Sequence, residues 1–276
     1  ERNIEIASFE QAIYGYTTIA IKDSDGNIIP MCSIEPNNLA PKSTSEVNIL
    51  LVEKEEIKVK TPKLYNLVTL QMEAARVFGL SPQRTYDAAV ALYFRKLISY
   101  PVVAGSTVSK RKYQECRKVL DKMLAYTNYA SVAYAQMDVA PGRSVDKTSP
   151  MGTHGIVATG VPPLVIKDDL SKVYHLIVKR MYQAFSKDAV VNRYNVLAEC
   201  EGVRYQWTGE TYKAKGWHSL FPDTAIKTSA TPKFTTGESV ELFSVGSCTK
   251  KSVAPKGYTD DTLIEELLEV RGSFQS

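Results

Sequence analysis

Residues 64–101 read LYNLVTLQMEAARVFGLSPQRTYDAAVALYFRKLISYP, and they decide the fold because they predict two consecutive helices with a short break between them. The first helix is expected to begin after Thr61, whose hydroxyl can cap it, with Pro62 at its first position. Gly79 is expected to end this helix, because glycine readily adopts the left-handed conformation that often follows a helix. The sequence thus predicts a helical region that begins near residue 62.

The second helix of this stretch is predicted to start with Ser81 as its cap and Pro82 at its first position. Helical spacing predicts a buried stripe formed by Tyr86, Ala89, Val90, Tyr93 and Leu97. Tyr100 follows at the helix exit, directly before Pro101. On the residues alone, this tyrosine is either an ordinary packed side chain or a nucleophile presented on a turn.

Segments with strand character lie on both sides of the helical region. Residues 1–61 and 193–258 show short alternating apolar runs separated by turn residues, whereas residues 62–192 are mainly helical in pattern. The simplest arrangement pairs the two flanking segments into one β-rich domain, with the helical domain inserted between them. We therefore predict an α+β fold, with residues 259–276 starting a further helix that leads to a missing domain.

The composition indicates a globular protein outside the membrane, since 44% of the 276 residues are hydrophobic and 23% are charged. No window approaches the roughly 18 apolar residues of a membrane span, and the N-terminus lacks the pattern of a signal peptide. We expect a cytoplasmic protein with no membrane partner. The chain starts without methionine and stops soon after a helical run, so we expect a piece of a longer polypeptide.

Residues 95–122 form a strongly basic segment. Eight Lys/Arg side chains stand there against two acidic ones, a local net charge of +6 in a chain whose total is +4. Lys110, Arg111 and Lys112 fall in the first turn of a predicted helix capped by Ser109, where cations oppose the helix dipole. This pattern favours a phosphate partner, and the alternative is a solvated basic face.

One short acidic motif, Asp23-Ser-Asp25-Gly26, invites a magnesium or calcium interpretation. Aspartate followed by glycine between two strands is, however, typical of a hairpin turn, and the later ligands of a calcium loop are missing. We assign no metal to this chain.

Several blocks in this order resemble type IA DNA topoisomerases. They are LQMEA (70–74), TYDAAVALY (85–93) with Tyr100-Pro101, THGIVATG (153–160) and APKGYTDDTLIEELLE (254–269). The resemblance covers most of the chain from about residue 62 onward. It implies that the β segments form the arch of a toroidal enzyme and that the helical domain carries the catalytic tyrosine.

The resemblance also implies a chemistry. Tyr100 corresponds to the nucleophile, which in that family attacks a backbone phosphorus of single-stranded DNA and forms a 5′-phosphotyrosyl link that is later religated after strand passage. The family's Mg²⁺ is bound by an acidic Toprim domain, which this chain lacks, so we expect the chain alone to be inactive. Candidate phosphate or DNA contacts are Arg95, Lys96, Lys110, Arg111, Lys112, Thr153 and His154.

Two departures from the family pattern support an alternative function. Val102 stands where the family has an arginine, and a valine cannot donate to a phosphate. Thr153 aligns with the family's histidine, although a shift of one residue would let His154 substitute. The alternative is a catalytically decayed module that binds single-stranded DNA or has an architectural role. Tyr205, Trp207 and Trp217 are candidates for base stacking or, alternatively, core residues.

Overall fold

The computed structural model divides the chain into two compact units. One comprises residues 1–58, 190–214 and 226–257, and the other comprises residues 59–189, 215–225 and 258–276. The residues whose structure is described are 2–37, 39–42, 45–123, 142–146, 154–220 and 225–273.

Helices and strands alternate in blocks along the described part of the chain. The helices are α1 (Arg2–Ala7), α2 (Leu67–Phe78), α3 (Pro82–Phe94), α4 (Lys110–Met123), α5 (Asp168–Ala184) and α6 (Asp260–Ser273). The strands are β1 (Ile13–Lys22), β2 (Ile28–Ser33), β3 (Glu46–Val59), β4 (Ala189–Cys200), β5 (Val203–Ala214) and β6 (Ser239–Lys251). Short 3-10 turns occupy Gly142–Ser144 and Gly216–Ser219.

The described strands close into a barrel in the order β1-β2-β5-β4-β3-β6. Strand β1, near the start of the chain, pairs antiparallel with β6, near its end, from Ile13 opposite Lys251 to Ile21 opposite Leu242. Alternate side chains point inward, as the period of a strand requires, and fill the barrel. Its buried core is formed by Ile19, Ile21, Ile29, Met31, Val47, Ile49, Val196, Ala198, Cys200, Tyr205 and Leu242.

The acidic motif between β1 and β2 is a hairpin turn. The Asp23 carboxylate accepts hydrogen bonds from the amides of Asp25, Asn27 and Lys233 at 2.8–3.1 Å, and Gly26 has a φ of 82°. Burial alone would raise the pKa of Asp23, but these hydrogen bonds and that of the Asn27 side chain lower it. The carboxylate oxygens are thus engaged by protein donors, as the hairpin interpretation predicts.

Helix α2 begins later than the sequence pattern predicts. Asn66 caps it, because its side chain accepts from the Thr69 amide at 2.9 Å while the Thr69 hydroxyl accepts from the Asn66 amide at 3.1 Å. Thr61 is buried and does not cap the helix. The preceding residue, Tyr65, is held extended by a β-bridge to Ile156, which explains the later start. Gly79, with a φ of 62°, ends the helix as predicted.

Helix α3 starts at Ser81 and Pro82 as predicted, and the predicted buried stripe is correct at Ala89 and Leu97 but not at the tyrosines. The buried residues are Thr85, Ala88, Ala89 and Leu92. Tyr86 and Tyr93, predicted to be inward, are 36% and 39% exposed. Small alanine side chains let α3 approach α2 and α5 closely. Tyr86 and Tyr93 each follow a buried residue, so their side chains point away from the buried face.

The predicted α+β class is confirmed, because strands from both ends of the chain share one barrel and most of a mainly helical unit lies between them in sequence. The observed units differ from the predicted ranges at residues 215–225, which belong to the helical unit. Trp217 explains this difference, since its indole donates to the Val59 carbonyl at 3.2 Å and its amide to that of Lys187 at 3.0 Å. Helix α6 also belongs to this unit and contacts α2.

No helix in the described part of the chain is long and apolar enough to cross a membrane.

Candidate active site

The tyrosine predicted as the nucleophile lies on a turn at the surface of the helical unit. Tyr100 is 53% exposed, and the adjacent Pro101 is buried. Helix α3 ends just before it with Lys96 in the left-handed region, at a φ of 61°. The amides of Lys96 and Leu97 donate back to the carbonyls of Tyr93 and Leu92, which closes the helix end. The chain therefore turns sharply before it reaches Tyr100.

A second segment, residues 154–160, pairs with this turn through the backbone. The Ser99 amide donates to the Val157 carbonyl at 2.8 Å, and the Val157 amide donates to the Ser99 hydroxyl at 3.0 Å. The Thr159 amide donates to the Leu97 carbonyl at 3.0 Å, beside a β-bridge between Ile98 and Ala158. We call these contacts the tyrosine ladder, because they fix the residues immediately before Tyr100.

The same segment also packs tightly against its other neighbours. The Gly155 amide donates to the Thr107 carbonyl at 2.9 Å. A Cβ at Gly155 would lie 2.7 Å from the Leu64 Cβ and 3.3 Å from the Ser106 backbone, so the close approach requires glycine at this position. Two of the sequence blocks that resemble the topoisomerase family thus meet at the tyrosine.

A largely buried polar cluster contacts the segment that pairs with the turn. The guanidinium of Arg180 on α5 donates to the Tyr65 hydroxyl at 2.9 Å and to the Lys63 carbonyl at 3.3 Å, and lies 3.7 Å from the Glu73 carboxylate. Tyr65 in turn accepts the Ile156 amide on its carbonyl at 2.7 Å. Arg180 therefore ties α2 and α5 to the segment that holds Tyr100.

The predicted cations lie at the end of α3 and at the start of α4. Arg95 and Lys96 are exposed at the end of α3. Arg111 and Lys112, at the start of α4, both pair with Glu115, at 3.6 Å and 3.2 Å. Ser109 caps α4 as predicted, accepting from the Lys112 amide. Glu115 partly offsets the unfavourable placement of cations at a helix start, while Lys110 and Arg111 stay exposed to solvent.

The burial of other tyrosines distinguishes them from Tyr100. Burial raises the pKa of Tyr174 and of Tyr205 to about 12, and their side chains are 3% and 0% exposed. Burial also raises the pKa of Tyr65. These phenols are hard to ionise and closed to a large substrate, whereas Tyr100 is open to one.

Comparison with known proteins identifies the family of the chain. The family model described as DNA topoisomerase matches residues 1–271. The chain belongs to the DNA topoisomerase family. The resemblance to type IA enzymes stated from the sequence blocks is thereby confirmed.

Individual relatives also match most of this topoisomerase-family chain. It is 29% identical over 214 residues to DNA topoisomerase 1 of Methanothermobacter thermautotrophicus, covering 77% of the chain and 29% of that protein. It is 26% identical to DNA topoisomerase 1 of Methanocaldococcus jannaschii, covering 99% of the chain and 36% of that protein. The full-length topoisomerase I structure from Thermotoga maritima has a TM-score of 0.73 at 19% identity, over 97% of the chain and 45% of its own. The chain thus spans less than half the length of these relatives.

The two departures from the family motif have different outcomes. Val102 lies two residues after the predicted nucleophile and is 43% exposed, so an apolar side chain stands at the surface where the family has an arginine. Thr153 lies outside the described residues. His154 is described, and its Nδ1 lies 2.8 Å from the carbonyl oxygen of Gly155.

The residues of this topoisomerase-family chain do not fit a metal centre within the part that the structure describes, since no group of three or more His, Cys, Asp or Glu side chains is arranged to hold an ion. We therefore derive no step through Mg²⁺ from its residues.

Sequence analysis missed Arg180, Ser99 and Thr159. Glu73 belongs to a recognised block, and its position on an apolar helix is a signal that a buried partner exists. The partner itself, Arg180, lies 107 positions later in the sequence, and only the fold brings it near.

Removing the Arg180 side chain should destabilise the helical unit. In Arg180→Met the Tyr65 hydroxyl and Glu73 lose a partner that is itself only 18% exposed, and hydrogen bonds to a charged group contribute about 2 kcal/mol to the free energy of unfolding. Chemical denaturation measures the loss. The matched variant is Arg84→Met, which breaks an exposed ion pair with Asp169 and should cost less than about 1 kcal/mol. Equal losses in the two variants would contradict a supporting role for Arg180.

Proposed function

We propose that Tyr100 is the nucleophile of a type IA topoisomerase reaction and that its substrate is single-stranded DNA in the cytoplasm. The observation that carries this proposal is the exposed phenol, 53% accessible, at the end of the tyrosine ladder. A covalent reaction with DNA requires a phenol that a backbone phosphate can reach. It also requires a defined approach, which the hydrogen bonds that hold the residues immediately before Tyr100 provide.

The reaction exchanges one phosphodiester bond for another. The Tyr100 oxygen attacks a backbone phosphorus, a new O–P bond forms, and the bond from phosphorus to the 3′ oxygen breaks. The phenolic proton passes to a base, and the departing 3′ oxygen takes up a proton. The reverse reaction restores the strand without an external energy source, because the phosphotyrosyl link conserves the energy of the original bond.

The remaining half of the cleavage site would come from an acidic Toprim domain that binds Mg²⁺, as the resemblance implies. The chain's share of its relatives' length, 29% to 45%, is consistent with this division. We therefore propose that the chain by itself does not relax supercoiled DNA. Arg95 and Lys96 are proposed to contact phosphate in place of the arginine that Val102 replaces.

A modified oligonucleotide tests the nucleophile directly in this chain. Sulfur in place of one bridging 3′ oxygen gives a thiolate leaving group that needs no proton donor. Incubated with this single strand, MgCl₂ and the proposed Toprim domain, which supplies the other half of the cleavage site, the chain should form a covalent adduct that carries the 5′-phosphorylated fragment. Tyr100→Phe should form none, because it lacks the attacking oxygen. Denaturing gel electrophoresis and peptide mass spectrometry measure the adduct and its position.

Tyr86→Phe is the matched control, since Tyr86 is an exposed tyrosine of α3, and it should react like the unmodified chain. An adduct that persists in Tyr100→Phe would overturn the assignment of the nucleophile. DNA binding without any adduct would instead support the alternative function, a catalytically decayed single-stranded DNA-binding module.

The basic segment predicts a strong dependence of DNA binding on salt. Each phosphate contact contributes about 0.7 to the slope of log affinity against log salt for a single strand. Replacing the exposed Lys110, Arg111 and Lys118 of α4 by alanine should therefore lower that slope by up to about 2. Fluorescence anisotropy with labelled oligo-dT measures it.

The charge-matched control replaces Lys54, Lys58 and Lys251 of the barrel by alanine and should change the slope less. Equal slopes for the α4 variant and the unmodified chain would exclude α4 from the DNA path.

A further inference from the structure

Three aromatic side chains lie together at the exit of α3. Phe94, the last residue of the helix, is 76% exposed, and Tyr93 and Tyr100 are 39% and 53% exposed. The Tyr93 ring meets the edge of Tyr100 at a centroid distance of 5.4 Å, and it lies 5.7 Å from the Phe94 ring. We call these three residues the aromatic shelf.

The contacts of Phe94 within the described structure leave most of its ring exposed. The side chain lies outside the buried core of the helical unit, so its ring presents apolar area to water. Exposed apolar clusters of this kind mark binding surfaces. The next two residues along the chain, Arg95 and Lys96, are exposed cations. The aromatic ring is therefore adjacent in sequence to groups that attract phosphate.

We propose that Phe94 is a stacking platform for a DNA base that neighbours the phosphate attacked by Tyr100. This inference rests on the proposed function of Tyr100. An aromatic face stacks on any base, and flanking cations hold the backbone, which is how proteins bind single strands without sequence preference. Tyr93 connects the platform to the nucleophile, since its ring touches both Phe94 and Tyr100.

The other aromatic candidates are less suited to this role. Tyr205 is fully buried in the barrel, and Trp207 packs against the barrel core. Trp217 donates its indole N–H to the Val59 carbonyl and serves the packing of its own unit. Among these aromatic residues, Phe94 alone combines high exposure with neighbouring cations and a contact to Tyr93, whose ring touches Tyr100.

A set of substitutions at Phe94 tests the platform through DNA affinity. Phe94→Ala should weaken binding of the chain to oligo-dT by about tenfold, within the range for the loss of one base–aromatic stack. Phe94→Trp should retain or improve binding, and Phe94→Leu should bind nearly as weakly as alanine because it is apolar without an aromatic face. The aromatic control is Phe243→Ala, which removes a 49% exposed ring from β6 and should leave the affinity unchanged.

A second ligand separates base stacking from every other effect. An oligonucleotide of abasic sites keeps the phosphates but has no bases, so unmodified chain and Phe94→Ala should bind it equally. If the unmodified chain binds no DNA at all, the proposed function fails. If it binds oligo-dT and Phe94→Ala binds equally well, or if leucine binds as well as phenylalanine, the stacking platform is overturned while the proposed function stands.

Discussion

The tyrosine ladder is the constraint on which the candidate site depends. Hydrogen bonds between residues 97–99 and residues 157–159 hold the two segments together. Tyr100 directly follows the first of these segments. A surface tyrosine on a free loop would sample many positions, at an entropic cost to any reaction. Backbone pairing removes that freedom while leaving the phenol exposed. The Thr159 hydroxyl of the second segment adds a hydrogen bond to the Lys96 carbonyl at 2.6 Å.

The residues that support the ladder are separate from the positions that depart from the family motif. Arg180, Tyr65 and Glu73 tie two helices to the segment that begins at Gly155, and none of them needs to touch DNA. Val102, by contrast, lies on the exposed side of the turn, where a substitution costs the fold little. The framework that presents Tyr100 is intact even though one residue expected to hold phosphate is replaced.

Local sequence signals predicted the local structure well. Ser81, Pro82 and Gly79 mark helix ends through capping and φ preferences that need no tertiary partner, and Asp25-Gly26 marks a hairpin for the same reason. The α+β class followed from the order of such elements. The errors arose where distant residues decide: Tyr65 pairs with Ile156 and delays α2, and packing against α2 and α5 rotates α3 so that Tyr93 is exposed. The Arg180 cluster and the ladder itself depend on contacts between positions far apart in sequence, which a single sequence does not display.

Amide hydrogen exchange of the whole chain, resolved by residue, tests the central claim that the backbone holds Tyr100 in place. The amides of Ser99, Val157 and Thr159 donate within the ladder, so they should exchange as slowly as amides in the buried face of α5. The amide of the exposed Val102, two residues after Tyr100, serves as the internal reference on the same turn. Exchange of the three ladder amides at the rate of an unstructured loop would show that the tyrosine is not held, and would contradict this account.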